Sequence, residues 1–447
     1  MNNKIIMRSI LSGLILFIFF SDIIIGQVNS ETQVKTSTDS LSLKNVIKNV
    51  VSSYPTVKVA EEAINNADAK IGLAKTGYNP VVDISASFAN MAPVIKFTFP
   101  GLGTFQLNPN NNYSAAVNYQ QLIYDFGRTR QYIKLENENK ALGEQTLEQV
   151  KQKLSLYAIN NFYTLDFLQS AIKIKDEELD ALNEHLSYIE KMMATGSATE
   201  YQVLSTKVKI STVESQKVDL EASLIAQQAS LNSLLGNNQS SVPVVKNELS
   251  AELPVVPSDS LLSFAFRNRD EVLIVQRRKS LAELSYGMTK LQNKPVIGLQ
   301  ASAGAKNGYI PDLNKFTPNY VIGLGLSVPI FDGMKNRYNL LQAKSAVTSL
   351  SYESETIKRN ISNEVYEAEA YLSAAVKKVT QFELQLKQAL KAYSLAETSF
   401  RSGVITNLDL LDANTSVSES RLMLLKSKID YAASIYKLKA AMGERVY

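Results

Sequence analysis

The sequence predicts a mostly α-helical α+β chain built as two copies of one unit, with very long coiled-coil helices and amphipathic β-hairpins. Three observations predict it. The chain recurs on itself at a fixed register, its helical stretches run unusually far without a breaker, and four segments alternate apolar with polar side chains.

The recurrence is read from paired residues. Asp125 and Asp332 differ by 332 − 125 = 207, Gly196 and Gly403 by 403 − 196 = 207, and Gly236 and Gly443 by 443 − 236 = 207. Arg130 and Arg337, Thr199 and Thr406, and Leu204 and Leu411 keep that offset. Upstream, "NPVVDISASFA" from Asn79 resembles "KPVIGLQASAGA" from Lys294 at an offset of 295 − 80 = 215, because the first copy has the longer loop. Such a recurrence is a duplication and predicts pseudo-twofold architecture. The first repeat covers 29–236 and the second 259–443. A Pro-bearing linker at 237–258 joins them, and 444–447 is a short tail.

Taken in order, the elements begin with a leader. Lys4 and Arg8 precede the apolar run "ILSGLILFIFF", the pattern of a secretory signal peptide, assigned to 1–28. The competing reading is an uncleaved anchor. No later segment approaches the ~20 apolar residues of a spanning helix. Each copy then reads as a helix (44–77 and 259–293), a β-hairpin (about 80–124 and about 295–330) and a long helix (about 127–195 and about 334–402). A turn and a shorter helix follow, at 199–236 and 406–442.

In the hairpins Val82, Ile84 and Phe88 alternate with Asp83, Ser85 and Ser87, and Leu299, Ile322, Leu324 and Leu326 alternate with polar or glycine positions. Asp125 and Asp332 stand where strand becomes helix, as N-cap acceptors, with Gly127 and Gly333 easing the bend. Along the first long helix Leu165, Leu168, Ile172, Leu179, Leu182, Leu186 and Ile189 follow coiled-coil spacing, with Lys175 as the polar intruder. At 1.5 Å per residue each long helix would measure about 100 Å. Gly196 and Gly403 suit the left-handed residue that ends a helix, while Thr199-x-x-Gln202 and Thr406-x-x-Asp409 read as capping boxes that restart one.

Composition narrows the function. A formal charge of +4 with no basic run gives nucleic-acid binding no support. The absence of cysteine excludes disulfides, thiol catalysis, cysteine-ligated metal and a lipid-modified N-terminal cysteine. The single histidine, His185, lies inside a helical pattern and is expected as a partly solvated surface residue. Without a nucleophile–base pair, a metal constellation or a phosphate loop, no enzyme and no cofactor are expected.

Four strands cannot close a barrel. Either helices of the same chain cover the sheet, or several chains pool their strands. Helices running about 100 Å away from the hairpins do not serve as cover. An exported chain without a helical span fits the second solution, a closed barrel across a membrane. Val82, Ile84, Phe88, Leu299, Ile322, Leu324 and Leu326 would then face lipid, and Asp83, Ser85, Asn118, Gln120 and Ser327 a wet lumen.

At this point the chain resembles the TolC-like outer-membrane efflux proteins, the outer membrane factors of tripartite pumps and type I secretion. The resemblance is carried by "YDFGR" (Tyr124–Arg128), "VPIFDG" (Val328–Gly333), "FRSGVITNLDLLDA" (Phe400–Ala413) and the twofold repeat, over nearly all of the mature chain. It implies a homotrimer whose strands form one shared transmembrane β-barrel in the outer membrane, continued by a helical tunnel in the periplasm with the linker at 237–258 on its outside. Such a duct is passive. It docks to a periplasmic adaptor and an inner-membrane transporter of the RND, ABC or MFS type.

The resemblance also implies a periplasmic constriction at Asp409 and Asp412, with Gln202, Ile405 and Phe400 around it. Adaptor contacts are implied at the tips Gly196, Ser197, Thr199, Gly403, Val404 and Thr406. Spacing of i and i+3 puts both aspartates on one helix face, as stacked carboxylate rings require. The alternative makes Asp409 only the cap partner of Thr406, and Asp412 a solvated acid. Two residues depart from the family pattern. Ile405 stands where better-known members carry a basic latch residue, and Gln202 where an acid can take part, so closure is expected to rest on Phe400, Val404 and Ile405. For the whole chain the competing reading is a secreted or surface-attached structural coiled coil, such as an adhesin stalk, and the alternating strands speak against it.

Overall fold

The computed structural model describes residues 40–101, 103–246 and 260–447. The signal peptide and most of the linker lie outside the described residues. The first copy contains α1 (Leu43–Ser53), α2 (Pro55–Thr76), β1 (Val81–Asn90), β2 (Lys96–Phe99), β3 (Gly103–Gln106), β4 (Asn111–Tyr124), α3 (Arg128–Ala194) and α4 (Glu200–Leu235). The second contains α5 (Leu261–Asn268), α6 (Asp270–Leu291), β5 (Val296–Lys306), β6 (Thr317–Ser327), α7 (Lys335–Arg401) and α8 (Asn407–Ala441).

The helices expected at 44–77 and 259–293 are each broken in two. Pro55 disfavours the helical region for the residue before it, and Tyr54 is extended at φ −67° and ψ 133°. Arg269 is extended at the matching place, 269 − 54 = 215, without a proline. Its guanidinium is held by Glu271 at 2.9 Å and Glu364 at 2.7 Å. The region between β1 and β4, expected as loop, contains a separate two-stranded hairpin, β2–β3.

The long helices α3 and α7 have 67 residues each, about 100 Å at 1.5 Å per residue. Four helices pack side by side in the order α4, α3, α8, α7. The main core lies at the middle of α3 and the strand-proximal ends of α4 and α8, where Ile159, Phe162, Tyr163 and Leu165 of α3 meet Val46 and Val50 of α1, Leu231 of α4 and Ala432 of α8. Each fully buried large apolar side chain there contributes roughly 1.5–3 kcal/mol. Lys175, the intruder in the seam, is buried as an ion pair with Glu178 at 2.8 Å, and Ser418 of α8 donates to the same carboxylate at 2.5 Å.

The segments read as a linker and a short tail are built into this core. Val245 of the linker is buried and forms a parallel bridge with Leu41. In the C-terminal tail Val446 is buried, and Arg445 grips Asp270 of α6 through two bonds of 2.6 and 2.8 Å. Gly443 permits this return. A Cβ there would lie 2.6 Å from the backbone of Asn268, and φ is +81°.

The main sheet is antiparallel with order β1-β4-β5-β6. Register places Val82 opposite Tyr119, Ile84 opposite Val117 and Phe88 opposite Tyr113. It also pairs Tyr119 with Ala301, Ala301 with Ile322, Leu299 with Leu324 and Ile297 with Leu326. Strand alternation therefore gathers the seven residues singled out in the hairpins on one face. That face is bare in the single chain, with Ile84 81% and Leu324 74% exposed. The opposite face carries polar pairs, Asn118 donating to Asp83 and Ser85, and Ser87 bonded to Ser114.

Strand turns into helix the same way in both copies. Phe126 and Gly127, and Gly333 and Met334, are consecutive left-handed residues. Asp125 accepts from the Thr129 amide at 2.6 Å, and Asp332 from the Asn336 amide at 2.9 Å. These carboxylates satisfy helix N–H groups otherwise left without partners.

Candidate functional site at the helical-hairpin tips

The two helical hairpins end together, far along the helices from the sheet. In the first, the Ser197 amide bonds Met192 O at 2.8 Å and the Gly196 amide bonds Met193 O at 3.0 Å. In the second, the Val404 amide bonds Ser399 O and the Gly403 amide bonds Phe400 O, both at 2.9 Å. These are paired Schellman closures around left-handed glycines, at φ 78° and 76°. Both capping boxes are complete, with Gln202 Oε1 accepting from the Thr199 amide at 2.8 Å and Asp409 Oδ2 from the Thr406 amide at 2.9 Å.

The chemistry of the second tip differs. The Thr406 hydroxyl also donates to Asp409, at 2.6 Å, and these side-chain and backbone hydrogen bonds hold its carboxyl below the usual aspartate range. Asp409 therefore does serve as a cap partner. It is exposed all the same, as is Asp412 one turn on. Ser197, Thr199, Thr406 and Val404 are exposed beside them, Val404 at 76%. Gln202 and Ile405 are half-buried.

Phe400 does not fit the constriction role. It is 8% exposed, packed with Ile189, Val203 and Leu410 inside the chain. Ile405 packs on the same cluster. These side chains join the two hairpins of one chain, and burial there leaves Phe400 no free surface for a second chain. Of the apolar trio expected to close the tunnel, Val404 alone points mainly to solvent.

Sequence reasoning missed the polar node behind the tips. Asn407, 3% exposed, donates to Gln202 O at 3.3 Å and to Ser205 Oγ and Thr206 Oγ1 at 3.2 Å. The Ser205 and Thr206 hydroxyls donate to Gln202 O, so they accept from the Asn407 amide. That orientation turns Asn407 Oδ1 to His185 Nε2, at 2.7 Å, and assigns the proton to Nε2. His185 is partly solvated, as expected, and is also a member of the node, with Asn407 and the Phe400 ring, 5.3 Å away, covering part of it. Burial lowers its pKa, against the Asn407 bond and the charge of Glu397. The available signal was a break in the repeat, since the first copy has Glu200 where the second has Asn407.

A sheet with a bare apolar face, set at one end of a layer of helices about 100 Å long, defines a channel protein of the outer membrane. A family model described as outer membrane efflux protein matches residues 46–237 and again 261–444, and the chain belongs to that family. Its two matches coincide with the two copies. Among relatives, the chain is 21% identical over 337 residues to the alkaline protease secretion protein AprF of Pseudomonas aeruginosa, covering 74% of this chain and 70% of that one. It is 26% identical over 312 residues to the solvent efflux pump outer membrane protein SrpC of Pseudomonas putida, covering 66% of this chain and 64% of that one. The crystal structure of the outer membrane protein VceC from Vibrio cholerae shares the fold, with a TM-score of 0.75 at 18% identity, over 91% of this chain and 97% of that one.

Proposed function

We propose that three copies of this chain assemble into an outer-membrane exit duct. The carrying observation is that the chain is unfinished at both sides of both layers. Among the described residues the helical layer ends at α4 and α7, and the sheet ends at β1 and β6 with no further strand. Along the outer face of α4, Tyr201, Leu204, Val208, Val218 and Ile225 are all more than half exposed, at coiled-coil positions. A head-to-tail contact that joins α4 of one copy to α7 of the next, and β1 to β6, closes into a ring. Three copies give a barrel of twelve strands, with Val82, Ile84, Phe88, Leu299, Ile322, Leu324 and Leu326 toward lipid.

The duct is passive, and the tips are its periplasmic entrance. Exposed Gly196, Ser197, Thr199, Gly403, Val404 and Thr406 form the docking surface for a periplasmic adaptor, itself coupled to an inner-membrane transporter of the RND, ABC or MFS type. Asp409 and Asp412 line the constriction as two carboxylate rings that favour cations over anions. The names of the two relatives point to protein secretion in one and solvent efflux in the other. One conduit serves both classes, since the transporter selects the cargo.

The test is the native mass of the detergent-extracted protein, followed by conductance in planar bilayers. A trimer is expected, with cation selectivity that weakens when Asp409→Asn and Asp412→Asn are combined. A water-soluble monomer would end the duct reading. Unchanged selectivity in a trimer would remove the aspartates from the constriction.

A further inference from the structure

Beyond the distal end of the sheet, opposite the helices, stands the β2–β3 hairpin. It pairs Phe97 with Phe105 and Thr98 with Thr104, so alternation gives it an aromatic face and a polar face. Phe97, Phe99 and Phe105 are about half exposed, as is Ile95 beside them, and Phe99 and Phe105 stack edge-on at 6.0 Å. A lone two-stranded hairpin is marginal in water, and one with a bare aromatic face calls for a cover.

Backbone pairing links the hairpin to the main sheet. Phe88 pairs with Tyr113, and Phe97 with Phe105. The first strand thus advances 97 − 88 = 9 residues while the second advances 113 − 105 = 8. Backbone bonds carry the β1–β4 pairing on into the hairpin, from the Met91 amide to Asn110 O at 2.8 Å and from the Leu107 amide to Ile95 O at 3.2 Å. Phe88 and Tyr113, ring centroids 5.2 Å apart, already form an aromatic pair near that end of the strands. Charge agrees. From Met91 to Asn112 the sole charged residue is Lys96, and the neighbouring β5–β6 turn brings Lys306 and Lys315 against Asp312. An aromatic face backed by a lysine-bearing polar face and poor in acid matches the interface of a membrane, with rings among the acyl boundary and cations at the phosphates.

We infer that the β2–β3 hairpin lies on the outer leaflet as an interfacial anchor, its Phe97, Phe99 and Phe105 face immersed in lipid. This rests on the barrel reading above. The contact adds a lipid-bound collar outside the barrel and holds the hairpin away from the channel mouth.

The chain has no tryptophan, so a single introduced one reports its own position. Phe99→Trp, with Phe105→Trp as a second site, is reconstituted as the full assembly in phosphatidylethanolamine–phosphatidylglycerol vesicles with and without brominated acyl chains. Ile84→Trp reports the barrel face separately. Both hairpin reporters should emit in the blue, lose about half their intensity to brominated lipid, and resist aqueous iodide, as interfacial side chains do. Quenching by iodide and not by bromine would overturn the anchor and leave the hairpin in water. Shielding from both would overturn it in favour of cover by another copy. If Ile84→Trp itself escapes brominated lipid, the barrel reading fails and takes the anchor with it.

Discussion

The helices α3 and α7 occupy matching places in the two copies and have the same length, 67 residues, yet α3 buries sixteen side chains and α7 five. The shorter partners reverse the order, thirteen buried in α8 against seven in α4. Sequence duplication therefore did not produce equal environments. In the row α4, α3, α8, α7 the two inner helices are finished by the chain itself and the two outer ones are not. Positions that diverge between the copies divide the same way. The chain's own packing covers α3 and α8, while α4 and α7 keep bare faces that the proposed assembly would cover.

The largest expected effect compares Asn407 with its counterpart Glu200, 407 − 207 = 200. Asn407 sits on the inner helix α8 and ties the second hairpin to the first, whereas Glu200 is exposed on the outer helix α4. Asn407→Ala leaves His185, Ser205 and Thr206 without that partner, at a cost of about 2–3 kcal/mol in local stability. Glu200→Ala should cost a few tenths, about what surface changes do. Hydrogen exchange over 199–206 and 400–412 reads both. Burial depresses the folded pKa of His185 below its ordinary 6.5. The node is therefore fully stable above that pH and weakens as pH falls through the folded value. Equal exchange in the two variants would remove the inner–outer distinction at the tips.

A second contrast lies halfway along the long helices. Asp166 on α3 is 2% exposed and its Oδ2 has no hydrogen-bond partner, while Ser373, 373 − 207 = 166, is exposed on α7. Burial pushes the Asp166 carboxyl up to about 6 from an ordinary 3.8. The folded chain thus holds the proton more tightly than the unfolded one, so stability is greatest in acid and falls as pH rises from about 4 to about 7. Asp166→Asn should remove that slope and gain about 2 kcal/mol at pH 8, by urea or thermal unfolding. Ser373→Asp, exposed in the monomer, should leave the unassembled chain unchanged.

Much of this was legible in the sequence, for physical reasons. Register, strand alternation, the heptad seam and both Gly–Thr tips are local or periodic signals, and each became the element it announced. Contacts between distant segments were not legible. The burial of Phe400, the docking of Arg445 on Asp270 and the seat of Val245 depend on which helices become neighbours, which no local period encodes. Lys175 looked like a flaw in the seam because its partners, Glu178 and Ser418, declare themselves only after α3 and α8 pack. The helix breaks divide similarly. Pro55 marks the first, while the second is set by Arg269 and its carboxylates.

The smallest expected effect is one that should be the same in both copies. Gly196 and Gly403 have φ of 78° and 76°, and a Cβ at either would meet nothing within 4 Å. Substitution by alanine therefore acts through the backbone alone, at about 1 kcal/mol for a side chain forced into the left-handed region. Gly196→Ala and Gly403→Ala should cost alike in the unassembled chain, despite the inner–outer asymmetry around them, because a turn's conformation is decided within its own few residues. Inside the assembly they should part. Val404 and the exposed acids follow Gly403 closely, so any shift of that tip would move the proposed constriction, whereas Gly196 leads into the edge helix. A larger conductance change for Gly403→Ala at equal stability cost would place the entrance on the second hairpin. Equal conductance changes would show that both hairpins line it alike.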